Sequence, residues 1–204
     1  MNYFVNSVNS VNNLFGFGTD SSAPHYPQVD LPCLNAINWK TSVVAGSYAL
    51  KAYTGDTHWD ASDVDIMVAC PTKAHFLHEA QQFETTSRAT LIKSAWFDGQ
   101  PNGANKADEL FHEKVLGSRT YTLPNYNKTV QLICLKQTAG EGPEEILSET
   151  SDIPACVSFK MYKDQRIFYV PQKGLGILAT RKGSHLMVCP NRMEKYKQRG
   201  YTFY

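Results

Sequence analysis

The chain has 204 residues, 42% of them hydrophobic and 19% charged, and a net charge of +1. That composition suits one sizeable folded domain with appendages and argues against a largely disordered chain. A charge so near zero gives no overall pull toward nucleic acid or membrane, so any such affinity has to come from local clusters.

Residues 1–30, beginning "MNYFVNSVNSVNNLFGFG", are rich in Asn and Ser and read as a flexible arm. The arm has no basic leading stretch and its apolar residues are interrupted by Asn, unlike a secretory signal. The apolar runs elsewhere fall well short of a membrane span. Five cysteines (Cys33, Cys70, Cys134, Cys156 and Cys189) are widely scattered without a CxxC, which fits neither a zinc ribbon nor a disulfide framework. A reducing intracellular compartment, cytoplasm or nucleus, is the expectation.

From about residue 31 the chain alternates elements. "TSVVAGS" reads as a short buried strand, and "SYALKAYTG" as a helix ended by Gly55. "DVDIMVAC" is a second buried strand closed by Pro71. "TKAHFLHEAQQFETTSR" has Thr72 as N-cap and Ala74, Leu77, Ala80 and Phe83 as an apolar stripe. Three strand candidates follow: "ATLIKSAWF", "KVLGSRTYTL" and "KTVQLICLK". "GPEEILSETS" is a helix opened by Pro143, with two glutamates at the positive end of its dipole. "ACVSFKMY" and "QRIFYVP" make a hairpin around "KDQ". The order implies an α/β (α+β) domain over residues 31–180: a mixed β-sheet with helices mainly on one face. Residues 181–204 form a basic, aromatic extension.

The stretch "VVAGSYALKAYTGDTHWDASDVDIMVAC" carries the chemistry. Asp63 and Asp65 are two apart on a strand and so share one face, while Val64 and Ile66 turn to the core. Two carboxylates that close repel unless a cation lies between them, and a hard ion such as Mg²⁺ (or Mn²⁺) fits that place. Gly46 and Ser47 stand at a strand–helix junction, where free backbone N–H groups and a hydroxyl can hold a phosphate. His58-Trp59-Asp60 precedes the pair and is read either as a base-stacking element or as a loop covering the sheet edge. His75 and His78 are spaced for a metal but, with no third ligand nearby in sequence, read as surface or half-buried histidines.

"GS" followed by "SDVDIMV" resembles the signature of the DNA polymerase β-like nucleotidyltransferase superfamily, over roughly residues 40–135. The resemblance implies that Asp63 and Asp65 hold the metal, that Gly46 and Ser47 hold a nucleoside triphosphate, and that the activity is nucleotidyl transfer. It also implies a third carboxylate on a later strand. Its counterpart in "TVQLICL" is Gln131, an amide, so either Asp98 or Asp152 substitutes or the site is crippled. A fainter resemblance, carried by "EEILSETSDIPACVSF" and "NRMEKYKQRGYTF", is to nucleotidyltransferase-like proteins of large DNA viruses and other viral genomes, which implies a viral, virion-associated member.

In the tail, Arg192, Lys195 and Arg199 share one face if the segment is helical, and Tyr196 and Tyr201 are interleaved. That mixture suits phosphates and bases, hence an RNA or DNA partner, against a plain solvated helix end as the alternative. Two readings stand: a transferase using Asp63, Asp65 and Gln131, or an inactive scaffold or nucleic-acid-binding module on the same fold.

Overall fold

The computed structural model describes residues 31–97, 113–138, 140–150, 157–163, 165–185, 188 and 190–204. The arm at 1–30 and the alternative carboxylates Asp98 and Asp152 lie outside the described residues.

A seven-stranded mixed sheet organises the chain. In sequence the strands are β1 (Ser42–Ala45), β2 (Asp63–Cys70), β3 (Thr90–Trp96), β4 (Val115–Thr122), β5 (Thr129–Lys136), β6 (Ser158–Tyr162) and β7 (Gln165–Tyr169). In space they run β3-β4-β5-β2-β1-β6-β7. β2 and β5 are parallel, and every other neighbouring pair in this sheet is antiparallel. The three central strands are near-continuous apolar runs because both of their faces are covered.

Two helices cover one face. α1 (Gly46–Thr54) leaves β1 without a loop and stops at Gly55, whose φ of 66° closes the last turn with a bond to the Lys51 carbonyl. α2 (Lys73–Ser87) opens on Thr72, whose hydroxyl accepts from the His75 N–H. Its buried stripe is Phe76, Ala80 and Phe83. The expected stripe is thereby corrected: Ala74 and Leu77 face solvent, because a spacing of three drifts off the contact line that 3.6 residues per turn maintains. This face shares one large cluster with Val44, Val64, Ile66, Val130 and Leu132.

α3 (Pro143–Thr150) packs on the opposite face, where Ile146 and Leu147 meet Val43, Met67, Ala69, Ile133 and Leu135. These residues lie toward the ends of β2 and β5. The starts of the same strands, on that same face, carry Asp63, Asp65 and Gln131 instead of apolar side chains.

A helix absent from the sequence reading, α4 (Gln172–Thr180), follows Pro171. Gly174 and Gly176 within it mask its helical character in sequence. A two-stranded parallel sheet then joins β8 (Lys182–Gly183) to β9 (Thr202–Phe203), with α5 (Pro190–Gln198) between them. Tyr196 and Tyr201 are buried in the large cluster, so this basic segment is tied to the body of the protein.

Candidate functional site

β1 and β2 are antiparallel with Ala45 opposite Asp65, so the end of β1 lies beside the start of β2. The chain turns there into α1, and the turn sits against the carboxylate. A methyl placed on Gly46 would stand 2.6 Å from Asp65 Oδ2, and Gly46 has a φ of 67°. Glycine is required twice, once by backbone conformation and once by space. Ser47 follows in the first turn of α1, and Ala45 supplies no side-chain cap to that turn.

The register of β2 and β5 puts Asp63 opposite Thr129 and Asp65 opposite Gln131. Both carboxylates alternate with the buried Val64 and Ile66, and so face the same side. Gln131 shares that face on the neighbouring strand. Its amide nitrogen is turned to β4, donating to Thr120 Oγ1 at 3.3 Å and Ser118 Oγ at 3.4 Å.

Burial pushes the Asp65 carboxyl up to about 7, and the charge of Asp63 adds to the effect, while Lys195 and Arg192 act the other way. A carboxylate so placed lacks sufficient compensation from the chain's own cations. That is the electrostatic condition under which an added cation binds. Asp63 and Asp65 are the residues that could hold one hard ion, with other oxygens completing its shell. Among the described residues no group of three His, Cys, Asp or Glu is arranged to hold a metal, so the ion would depend on a ligand for its remaining oxygens.

The approach to β2 is fixed by charge. Asp60 bonds Lys51 at 2.9 Å and Lys128 at 2.5 Å, hydrogen bonds that hold its carboxyl down to about 2. Lys128 also donates to the Ala61 carbonyl, pinning the start of β5 to the loop before Asp63.

The C-terminal segment supplies what sequence inspection missed. Arg199 lies just past α5, only 6% exposed, with Nη2 donating to Ser47 Oγ at 3.0 Å. Its guanidinium stacks 4.1 Å from the centre of the Trp59 ring. Trp59 therefore packs on a cation of its own chain. Arg192 and Lys195 bring their charge to bear on Asp65. The three tail cations expected on one exposed helical face thus differ in kind: Arg199 is buried at the strand–helix turn, while Lys195 is exposed on α5. His75 and His78 are exposed on α2, as surface histidines, where His75 contacts Thr72 and His78 contacts Gln82.

No family model matches the chain, and no curated protein matches it. Among solved structures it is similar to a tRNA nucleotidyltransferase complexed with a primer tRNA and an incoming ATP analogue. The likeness has a TM-score of 0.44 and 11% identity, covering 74% of this chain and 37% of that one. The chain therefore spans well under half of that protein, and a likeness this slight decides nothing about what this one does.

Proposed function

We propose that the protein is nucleotidyltransferase-like and binds a nucleoside triphosphate together with one Mg²⁺ or Mn²⁺ ion. One observation carries the proposal. The Gly46-Ser47 turn lies against Asp65, on the face Asp65 shares with Asp63, so a phosphate cradle and a carboxylate pair adjoin. Asp63 and Asp65 would hold the ion, and the first turn of α1 would hold phosphate oxygens through backbone N–H groups and the Ser47 hydroxyl. When bound, the ion offsets charge on the reacting phosphate. The chain's own part is to orient the triphosphate between α1 and the strand start. An RNA or DNA acceptor would approach past Lys195, exposed on α5.

Gln131 favours the inactive form of this reading. An amide carries no charge for a second cation and takes no proton from an attacking hydroxyl, and here its hydrogens are already directed to Ser118 and Thr120. The expectation is nucleotide binding with transfer absent or very slow. Incubation with radiolabelled nucleotide and an RNA acceptor tests it: the wild type should incorporate little label. Gln131→Asp should tighten Mn²⁺ binding about tenfold or more, the scale of a charge-assisted contact. Robust incorporation by the wild type, abolished by Asp63→Ala, would sink the inactive form and leave the transferase. Calorimetry showing no divalent-dependent nucleotide binding would sink both.

A further inference from the structure

Arg199 is over-provided for a structural residue at its position. Its guanidinium is buried, yet Nη1 reaches no acceptor. Burial pushes the group below its ordinary value, opposed by Tyr196, Asp63 and Tyr201. Leaving a charged donor unsatisfied in the interior is costly, and such groups are normally paired.

Its placement is nevertheless built. Arg181 Nη1 donates to the Arg199 carbonyl at 3.1 Å, and Arg181 Nη2 pairs with Asp56 at 3.0 Å. The Thr202 N–H bonds the Arg181 carbonyl, and the Gly200 N–H bonds Lys197, so the backbone on the C-terminal side of Arg199 is held as well. Trp59 packs against the guanidinium, 4.1 Å from ring centre to Cζ. The fork is thus fixed at the first turn of α1, where no side chain caps the helix. A single hydroxyl fills one arm of a group shaped to grip two oxygens of one anion.

We infer that the C-terminal segment completes a phosphate site through Arg199, which takes the terminal phosphates of a nucleoside triphosphate together with Ser47 and the first turn of α1. The inference rests on the proposed nucleotide reading and deepens it. It takes Arg199 away from the acceptor: a buried guanidinium at the strand–helix turn meets the small anion in the cradle, not a passing nucleic-acid backbone. At the cradle itself the Arg199 guanidinium lies on Ser47, so polyphosphate is attracted there even before a divalent ion is added to the carboxylates.

Calorimetry with sodium tripolyphosphate, on the full chain, in EDTA and then in Mg²⁺, tests the site. The wild type should bind tripolyphosphate in EDTA and more tightly in Mg²⁺. Arg199→Gln should weaken the EDTA binding about tenfold to a hundredfold, the loss of a charge-assisted contact, and Arg199→Lys should recover part of it. Asp63→Asn should strengthen binding in EDTA by removing a repelling charge beside the cradle, and the partial recovery in Arg199→Lys is what a purely structural role for Arg199 does not predict. If Arg199→Gln fails to fold, the exposed Lys195→Gln and the Asp63→Asn variants decide: no weakening in the first and no strengthening in the second would overturn the site. Tripolyphosphate binding by a folded Arg199→Gln protein at wild-type strength would overturn it too, while Mg²⁺-dependent nucleotide binding by that same variant would leave the proposed function standing. Tripolyphosphate bound in EDTA with no added effect of Mg²⁺ would do the reverse, keeping Arg199 as a phosphate ligand and removing the metal-dependent reading.

Discussion

Replacing Asp65 with asparagine is expected to raise the melting temperature at pH 8 and to leave it nearly unchanged near pH 4. Burial and the neighbouring Asp63 push the Asp65 carboxyl up to about 7 in the folded chain, against about 3.9 in an unfolded one. Between those values the folded state keeps a proton that the unfolded state has released. Stability therefore falls as pH rises through that window, and levels off above 7. The gap corresponds to about 4 kcal/mol at most, and the partial solvent access of Asp65 reduces it to about 2 kcal/mol. For a chain this size that is a rise of about 4–8 °C. Saturating Mg²⁺ and nucleoside triphosphate should narrow or reverse the difference, because the wild type alone regains the missing cation. Thermal melts of both proteins from pH 4 to 8 give the answer. An asparagine variant less stable at pH 8, or a gap that does not change with pH, would contradict this account of the site.

Gly46→Ala is expected to be the most damaging single substitution at the site, costing about 3 kcal/mol or more from left-handed backbone and close contact together. The control is the residue that caps the other end of the same helix. Gly55 has a φ of 66°, almost the same as Gly46, but an added methyl there meets nothing within 4 Å. Gly55→Ala therefore isolates the backbone cost, about 1–2 kcal/mol. The difference between the two variants measures the contact with Asp65. Asp65→Ser should relieve part of the Gly46→Ala defect and none of the Gly55→Ala defect, read by urea denaturation as a double-mutant cycle. Equal losses for the two alanines would mean that the turn does not press on the carboxylate.

The local parts of the site were legible in sequence because each is announced by a break in an apolar run. Gly46-Ser47 ends one such run, and Asp63 and Asp65 alternate with residues that must be buried. Thr72 as a cap and Gly55 as a stop were equally local, since the groups they satisfy lie within one helical turn. What was not legible depends on chain folding over long range. Arg199 meets Ser47 across 152 residues of sequence. Nothing in "KQRGYTF" says that its arginine is buried rather than solvated. In sequence Trp59 reads either as a base-stacking ring or as an edge cover, and in the fold its ring is taken by that same arginine. The alignment of Gln131 with Asp65 is expected from the family resemblance and is present in the parallel pairing, although periodicity alone does not set that register. α4 was hidden by its two glycines, which lower helix propensity but are outweighed when Ile177 is buried against the core.

The most direct test of the proposed site is a crystal of the full chain soaked with Mn²⁺ and a non-hydrolysable nucleoside triphosphate, with anomalous data collected to locate the manganese. The account predicts one manganese peak between the carboxylates of Asp63 and Asp65, and triphosphate density running onto the first turn of α1 at Ser47 with Arg199 on its terminal phosphate. Ordered nucleotide seated elsewhere on the protein, or manganese bound without any contact to Asp63 or Asp65, would contradict it.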